Sequence, residues 1–171
     1  GYADLVSGAP GVRSMVMPGR VYVFHGSAGG VADRPSTTTM LADRRRDLGS
    51  VVTGVGDVNG DGYDDVIASM RVPPFTSRVF AILGSGGGLG STPDAELTAA
   101  GIASIGFRPQ YLADMNGDGA ADVLTAAGDL AVFFSSTGFG SDWNPSGTIF
   151  PPSGMGDTTG FGGEVGGRGS R

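Results

Sequence analysis

Two nine-residue stretches carry side-chain oxygens at fixed offsets: Asp57-Val58-Asn59-Gly60-Asp61-Gly62-Tyr63-Asp64-Asp65 and Asp114-Met115-Asn116-Gly117-Asp118-Gly119-Ala120-Ala121-Asp122. Both read D-x-N-x-D-G-x-x-D, which sets carboxylate or amide oxygens at positions 1, 3, 5 and 9. That spacing wraps an all-oxygen set around one hard cation, and glycine at position 6 allows the sharp turn that folds position 5 beside the carbonyl of position 7, here Tyr63 or Ala120. Calcium suits such a set; Mg²⁺ demands a stricter octahedron and sheds water reluctantly. Asp, Asn and Gly also make ordinary turns for local reasons. Two copies with Asp at positions 1, 5 and 9, each followed by an apolar segment, favour the cation. An EF-hand needs Glu at position 12, where this chain has Ala68 and Thr125. Dockerin-like loops need a following helix, but Val66-Ile67-Ala68-Ser69 and Val123-Leu124-Thr125-Ala126 read as strands.

The rest of the chain must hold these loops. It has 171 residues with 33 Gly, 10 Pro, 15 Asp, 2 Glu, 11 Arg, one His, no Lys and no Cys. Glycine and proline mark many turns, yet 39% hydrophobic content is too apolar for a disordered tail, so a folded, turn-rich, all-β chain is expected. The sequence has no apolar run long enough for a membrane span, and without cysteine there is neither a disulfide framework nor a thiolate site. A net charge of −6 argues against nucleic acid and anionic membranes as partners.

The loops belong to a longer period. Leu48-Gly49, Ile105-Gly106 and Phe161-Gly162 recur at steps of 57 and 56 residues, each opening a short strand. After the loops come Asp4-Leu5-Val6, Asp65-Val66-Ile67 and Asp122-Val123-Leu124, a second strand. A third follows at Arg20 to Ser27, Arg78 to Ser85 and Asp129 to Ser136, and a weaker fourth near Thr37 to Ala42, Ala95 to Ala99 and Thr148 to Phe150. Four short strands per repeat of this length suggest β-propeller blades.

On these residues the chain resembles the FG-GAP repeats of the integrin α-subunit β-propeller and its bacterial relatives, over its whole length. The name's motif is divided between Phe161-Gly162 and Gly8-Ala9-Pro10, with degenerate copies at Leu48-Gly49, Ile105-Gly106 and Ala68-Ser69-Met70. In that family the loop joins the first two strands of a blade and holds Ca²⁺. The resemblance therefore implies Asp57, Asn59, Asp61, the Tyr63 carbonyl and Asp65 as one ligand set, and Asp114, Asn116, Asp118, the Ala120 carbonyl and Asp122 as a second. The blades are expected at 1–47 (lacking its first strand), 48–104 and 105–160, with 161–171 the first strand of a further blade. Gly1-Tyr2-Ala3-Asp4 aligns with loop positions 6 to 9, a third loop cut through, where metal should be weak or absent. Three blades of strands in permuted phase are expected either to be part of a longer propeller or to pair with a second copy as a six-bladed ring.

Other candidate residues carry less. His25 reads as a strand-end histidine, Arg44-Arg45-Arg46 between Asp43 and Asp47 as a solvated turn, and Gly84-Ser85-Gly86-Gly87-Gly88-Leu89-Gly90 as a blade loop without the Lys of a P-loop. Trp143 and Tyr111 could stack on a sugar, though a lone Trp in such a loop more often anchors packing. No Ser-His-Asp set can be drawn, so no catalytic residue is expected. The resemblance implies a non-enzymatic module, extracellular or at the cell surface and of bacterial secreted type, binding a protein or glycan. A lectin propeller and an accessory domain of a larger enzyme are the alternatives.

Overall fold

The computed structural model describes residues 2–11, 17–40, 47–72, 76–98, 110–112, 114–127, 130–134, 142–143 and 147–149. Residues 110–112, 126–127, 130–134, 142–143 and 147–149 are described by backbone alone. Every regular element among them is a strand: β1 (Leu5–Ala9), β2 (Arg20–Phe24), β3 (Gly26–Ser27), β4 (Gly30–Val31), β5 (Thr37–Thr39), β6 (Leu48–Gly56), β7 (Asp65–Val72), β8 (Thr76–Ile82), β9 (Ala95–Leu97), β10 (Gln110–Leu112), β11 (Asp122–Ala127), β12 (Leu130–Phe134), β13 (Asp142–Trp143) and β14 (Gly147–Ile149). The expected all-β chain of antiparallel sheets is what is seen.

Three sheets carry the fold, in the orders β1-β2-β5, β6-β7-β8-β9 and β10-β11-β12-β14, each antiparallel throughout. Two features lay beyond the sequence reading. A short hairpin pairs β3 with β4, and β13 leaves the third sheet to extend the second, running parallel to β9. Trp143, weighed as a sugar platform, has its backbone opposite Leu97 in that pairing; its side chain, that of Tyr111, the Arg44-Arg45-Arg46 turn and the strand expected at 161–171 lie outside the description.

Side-chain alternation explains the stacking. In β2 the β-branched Val21 and Val23 point inward while Arg20, Tyr22 and Phe24 lie on the other face. In β7 every residue from Asp65 to Met70 is buried, because the second sheet is covered on both sides. One face, Leu48, Val66, Ala68, Met70, Phe80 and Ile82, meets Val6 and Val21 of the first sheet. The other gathers Ile67, Val79 and Ala81 with Val55, Val58, Leu97 and, from the third repeat, Ala121 and Val123.

The first two sheets touch backbone to backbone at a pair of glycines. A Cβ on Gly8 would lie 2.0 Å from the Gly49 carbonyl oxygen; one on Gly49 would lie 2.3 Å from that of Arg20, and Gly49 has φ +84. The residues that resemble the two halves of the FG-GAP motif, Leu48-Gly49 and Gly8-Ala9-Pro10, are thus the place where one sheet is pressed on the next.

Strand registers correct two alignments. Leu5, Val66 and Val123, each following its Asp, pair with Phe24, Ile82 and Phe134. Gly8 pairs with Val21 and Ser69 with Val79, so the counterpart of Gly8 is Ser69, not Ala68. Likewise Phe134, not Phe133, is the counterpart of Phe24. Connections of different length precede β2, β8 and β12, so comparison across them slips to Phe133, whereas Gly8 and Ser69 each stand four residues after an Asp with no connection between.

Candidate metal centres

The loop 57–65 joins β6 to β7, and 114–122 joins β10 to β11. In both, the Asp at position 1 accepts three backbone N–H groups. Asp57 Oδ1 takes those of Gly60 (2.6 Å) and Asp61 (3.0 Å) and Oδ2 that of Gly62 (2.7 Å); Asp114 takes those of Gly117 (2.6 Å), Asp118 (3.1 Å) and Gly119 (2.9 Å). The amide of Asn59 or Asn116 bridges to the position-5 Asp, donating to its Oδ2 at 3.0 and 2.9 Å. The other oxygen of that Asp accepts the N–H of Tyr63 at 3.0 Å or of Ala120 at 2.9 Å. Glycine is required here for its dihedrals rather than for space: Gly60, Gly62, Gly117 and Gly119 have φ of 79, 92, 80 and 91°, and a Cβ on any of them would meet nothing.

Position 9 turns the opposite way. Asp65 is 1% exposed; its Oδ2 accepts the Val58 N–H and its Oδ1 that of Gly84, at 2.9 and 2.7 Å. Burial pushes this carboxyl up to about 6, against the pull of those two amides and with help from Asp61 and Asp57. Asp122 is fully buried, its Oδ2 accepts the Met115 N–H at 2.6 Å, and burial raises it as well. Its Oδ1 has no hydrogen-bond partner.

The loops therefore bring positions 1, 3 and 5 together at the surface and hold position 9 beneath them. Among the described residues no three acid, imidazole or thiol side chains converge as a ready-made cage. The residues still fit a hard cation. Every expected donor is oxygen, the nine residues of each loop carry at least three carboxylates and no basic side chain, and the orphaned oxygen of Asp122 lacks a positive partner.

A second constellation repeats beside the loops. A Cβ on Gly84 would lie 2.3 Å from the Asp64 carbonyl oxygen and 3.0 Å from Tyr63 Cβ; one on Gly26 would lie 2.1 Å from that of Ala3 and 3.1 Å from Tyr2 Cβ. Asp4 Oδ1 accepts the Gly26 N–H at 2.9 Å as Asp65 Oδ1 accepts that of Gly84, so the two carboxylates stand at equivalent points of their sheets. Asp4 differs in lying at the surface. The Gly26 amide and the hydrogen bond from His25 Nδ1 (2.9 Å) hold its carboxyl below the usual range. The glycine run 84–90 is likewise explained by packing: it passes over Tyr63 and against the first sheet, where Gly88 (φ +91) faces Thr37 and His25, and Thr39 donates to the Gly90 carbonyl. The Gly26/Gly84 and Tyr2/Tyr63 matches were present in the aligned repeats, but nothing in sequence said that each glycine packs against its tyrosine.

No family model matches the chain. It is similar to integrin alpha-7 of Rattus norvegicus, 31% identical over 141 residues, 78% of this chain and 12% of that protein. It is similar to integrin alpha-E of Mus musculus, 29% identical over 133 residues, 69% of this chain and 11% of that protein. Against integrin alpha-3 of Cricetulus griseus it is 28% identical over 137 residues, 74% of this chain and 13% of that protein. The chain thus spans only 11 to 13% of the length of these curated relatives.

Proposed function

We propose that the chain is a calcium-stabilised interaction module of the integrin α-like, FG-GAP kind. It works outside the cell, presents loops to a protein or glycan, and carries out no catalysis of its own. One observation supports this most: two loops 57 residues apart share one hydrogen-bond framework around an all-oxygen set. Similarity to integrin α-subunits over most of the chain points the same way.

In this reading Asp57, Asn59, Asp61, the Tyr63 carbonyl and Asp65 hold one ion, and Asp114, Asn116, Asp118, the Ala120 carbonyl and Asp122 the other. Bound calcium supplies the positive charge that the crowded carboxylates lack, taking the formal charge from −6 to about −2. The chain's own residues do the positioning: backbone N–H groups orient the position-1 carboxylate, and the buried position-9 Asp ties the hairpin to the sheet below.

Calcium with a dissociation constant of about 10⁻⁴ M, at about 1 mM free ion, stabilises the fold by roughly 1.4 kcal/mol per site. Calorimetric titration and melting with calcium or EDTA test the reading. Calcium should bind at two sites and raise Tm, and Asp61→Asn with Asp118→Asn should abolish that rise while changing the EDTA-treated Tm little. No heat of binding, together with coincident melts, overturns it.

A further inference from the structure

Between the first two sheets, beside the loop 57–65, lies a cleft of about 430 Å³ with Tyr2, Asp4, His25, Tyr63, Asp64 and Leu89 in its walls. Its charge is one-sided, carboxylates with two tyrosine hydroxyls beside them. Asp4 has its oxygens fixed by Gly26 and His25, one bond each, and every carboxylate oxygen retains a further lone pair. Facing a carboxylate, His25 Nδ1 must be the donor, so in the neutral ring Nε2 is an acceptor, and it lies toward Gly88. Asp64 adds another carboxylate. Ser85, also in the wall, has spent its proton on the Gly88 carbonyl at 2.7 Å. No arginine is among the described lining residues, and the chain has no lysine. Two aromatic rings are open to solvent, Tyr2 at 65% and Tyr63 at 47% exposure.

We propose that this cleft binds an organic cation, an ammonium or guanidinium head on a short apolar stem. Such a head brings donors and positive charge and no acceptor, complementing carboxylates and an imidazole acceptor, while the tyrosine faces and Leu89 receive the stem. A neutral sugar could take the tyrosine hydroxyls as donors but would leave the carboxylate charge uncompensated, and is matched less well.

The test is an NMR titration of the full chain at saturating calcium, which keeps the result separate from the fate of the metal sites. The probes are n-butylammonium, n-butylguanidinium, the uncharged n-butylurea, and N-acetylglucosamine. Both cations should bind saturably in the millimolar range, shifting the resonances of Tyr2, His25 and Gly88, and at least about tenfold more tightly than the urea. Asp4→Asn should weaken the cations by about tenfold and Tyr2→Ala by roughly threefold, whereas Asp33→Asn, outside the cleft, should change nothing. Tyr2 is exposed, so its variant reports on the cleft even if Asp4→Asn disturbs the fold. Equal binding of urea and cations, preference for the sugar, absence of saturable shifts, or two unaffected cleft variants would each overturn the proposal.

Discussion

Asp65 and Asp4 occupy the same place in successive repeats, accept the N–H of equivalent glycines, Gly84 and Gly26, and move in opposite directions because one is buried and the other is not. In metal-free protein the carboxyl of Asp65 is raised from 3.8 to about 6, so the native state binds this proton more tightly than the unfolded chain. Its contribution is fully present below 3.8 and is lost as pH rises through about 6. Asp4, lowered, contributes above 3.8 and loses that contribution as pH falls through its native value. EDTA-treated wild type should therefore lose more Tm between pH 3.8 and 6 than Asp65→Asn does. With saturating calcium the sign for Asp65 should reverse, because the ion favours the ionised form. Parallel melts that keep one slope in both conditions would separate Asp65 from calcium. At the same scale Gly49→Ala should cost on the order of 3 kcal/mol in denaturant unfolding, since it adds a methyl group against the Arg20 carbonyl at positive φ. Gly54→Ala, where a Cβ meets nothing, should be close to neutral.

At the scale of elements, the hairpin loops were the most legible part of the chain, because their geometry is local. The Asx residues at positions 1, 3 and 5 bond within five residues of themselves, so the spacing alone carries the fold of that part of the loop. The direction of position 9 was not legible: Asp65 is aimed by Gly84, 19 residues away, and buried by a sheet that sequence offsets do not describe. The strands were readable from alternation in β2 and from the apolar run of β7, whereas two-residue elements such as β13 carry no period at all and pair by tertiary position. The glycine run 84–90 looked like an unspecific loop because what it accommodates, Tyr63 beneath and His25 and Thr37 beside it, is distant in sequence. This placement predicts a graded response between β7 and β1. Ile67→Ala, fully buried in the core shared with Val79 and Val123, should cost about 2 to 5 kcal/mol. Leu5→Ala in β1, half exposed, should cost well under half as much by the same unfolding measurement.

For the whole molecule, the three sheets stack in one sense, each presenting the same positions to the next. Val66, Phe80 and Ile82 of the second sheet are buried beneath the first, and their register counterparts Leu5, Tyr22 and Phe24 form the outer face of the first sheet, where Leu5 is half exposed. A face with that pattern suits another sheet of the same repeat, and a second copy of the chain carries such sheets. Head-to-tail contacts of this kind close into rings when the rotation per unit allows it, and they remove exposed sheet surface that otherwise invites aggregation. The expected outcome is association of the isolated chain, read by light scattering on size-exclusion chromatography. Leu5→Asp should return it to a single chain, because a carboxylate would have to be buried unpaired in the interface. The melting curve of that variant should stay near wild type when both are compared at the dilution where the wild type dissociates, since Leu5 packs little within its own chain. A stable 17.1 kDa species for the unaltered protein would remove the second copy as the occupant of this face, and with it the six-bladed ring built from two chains.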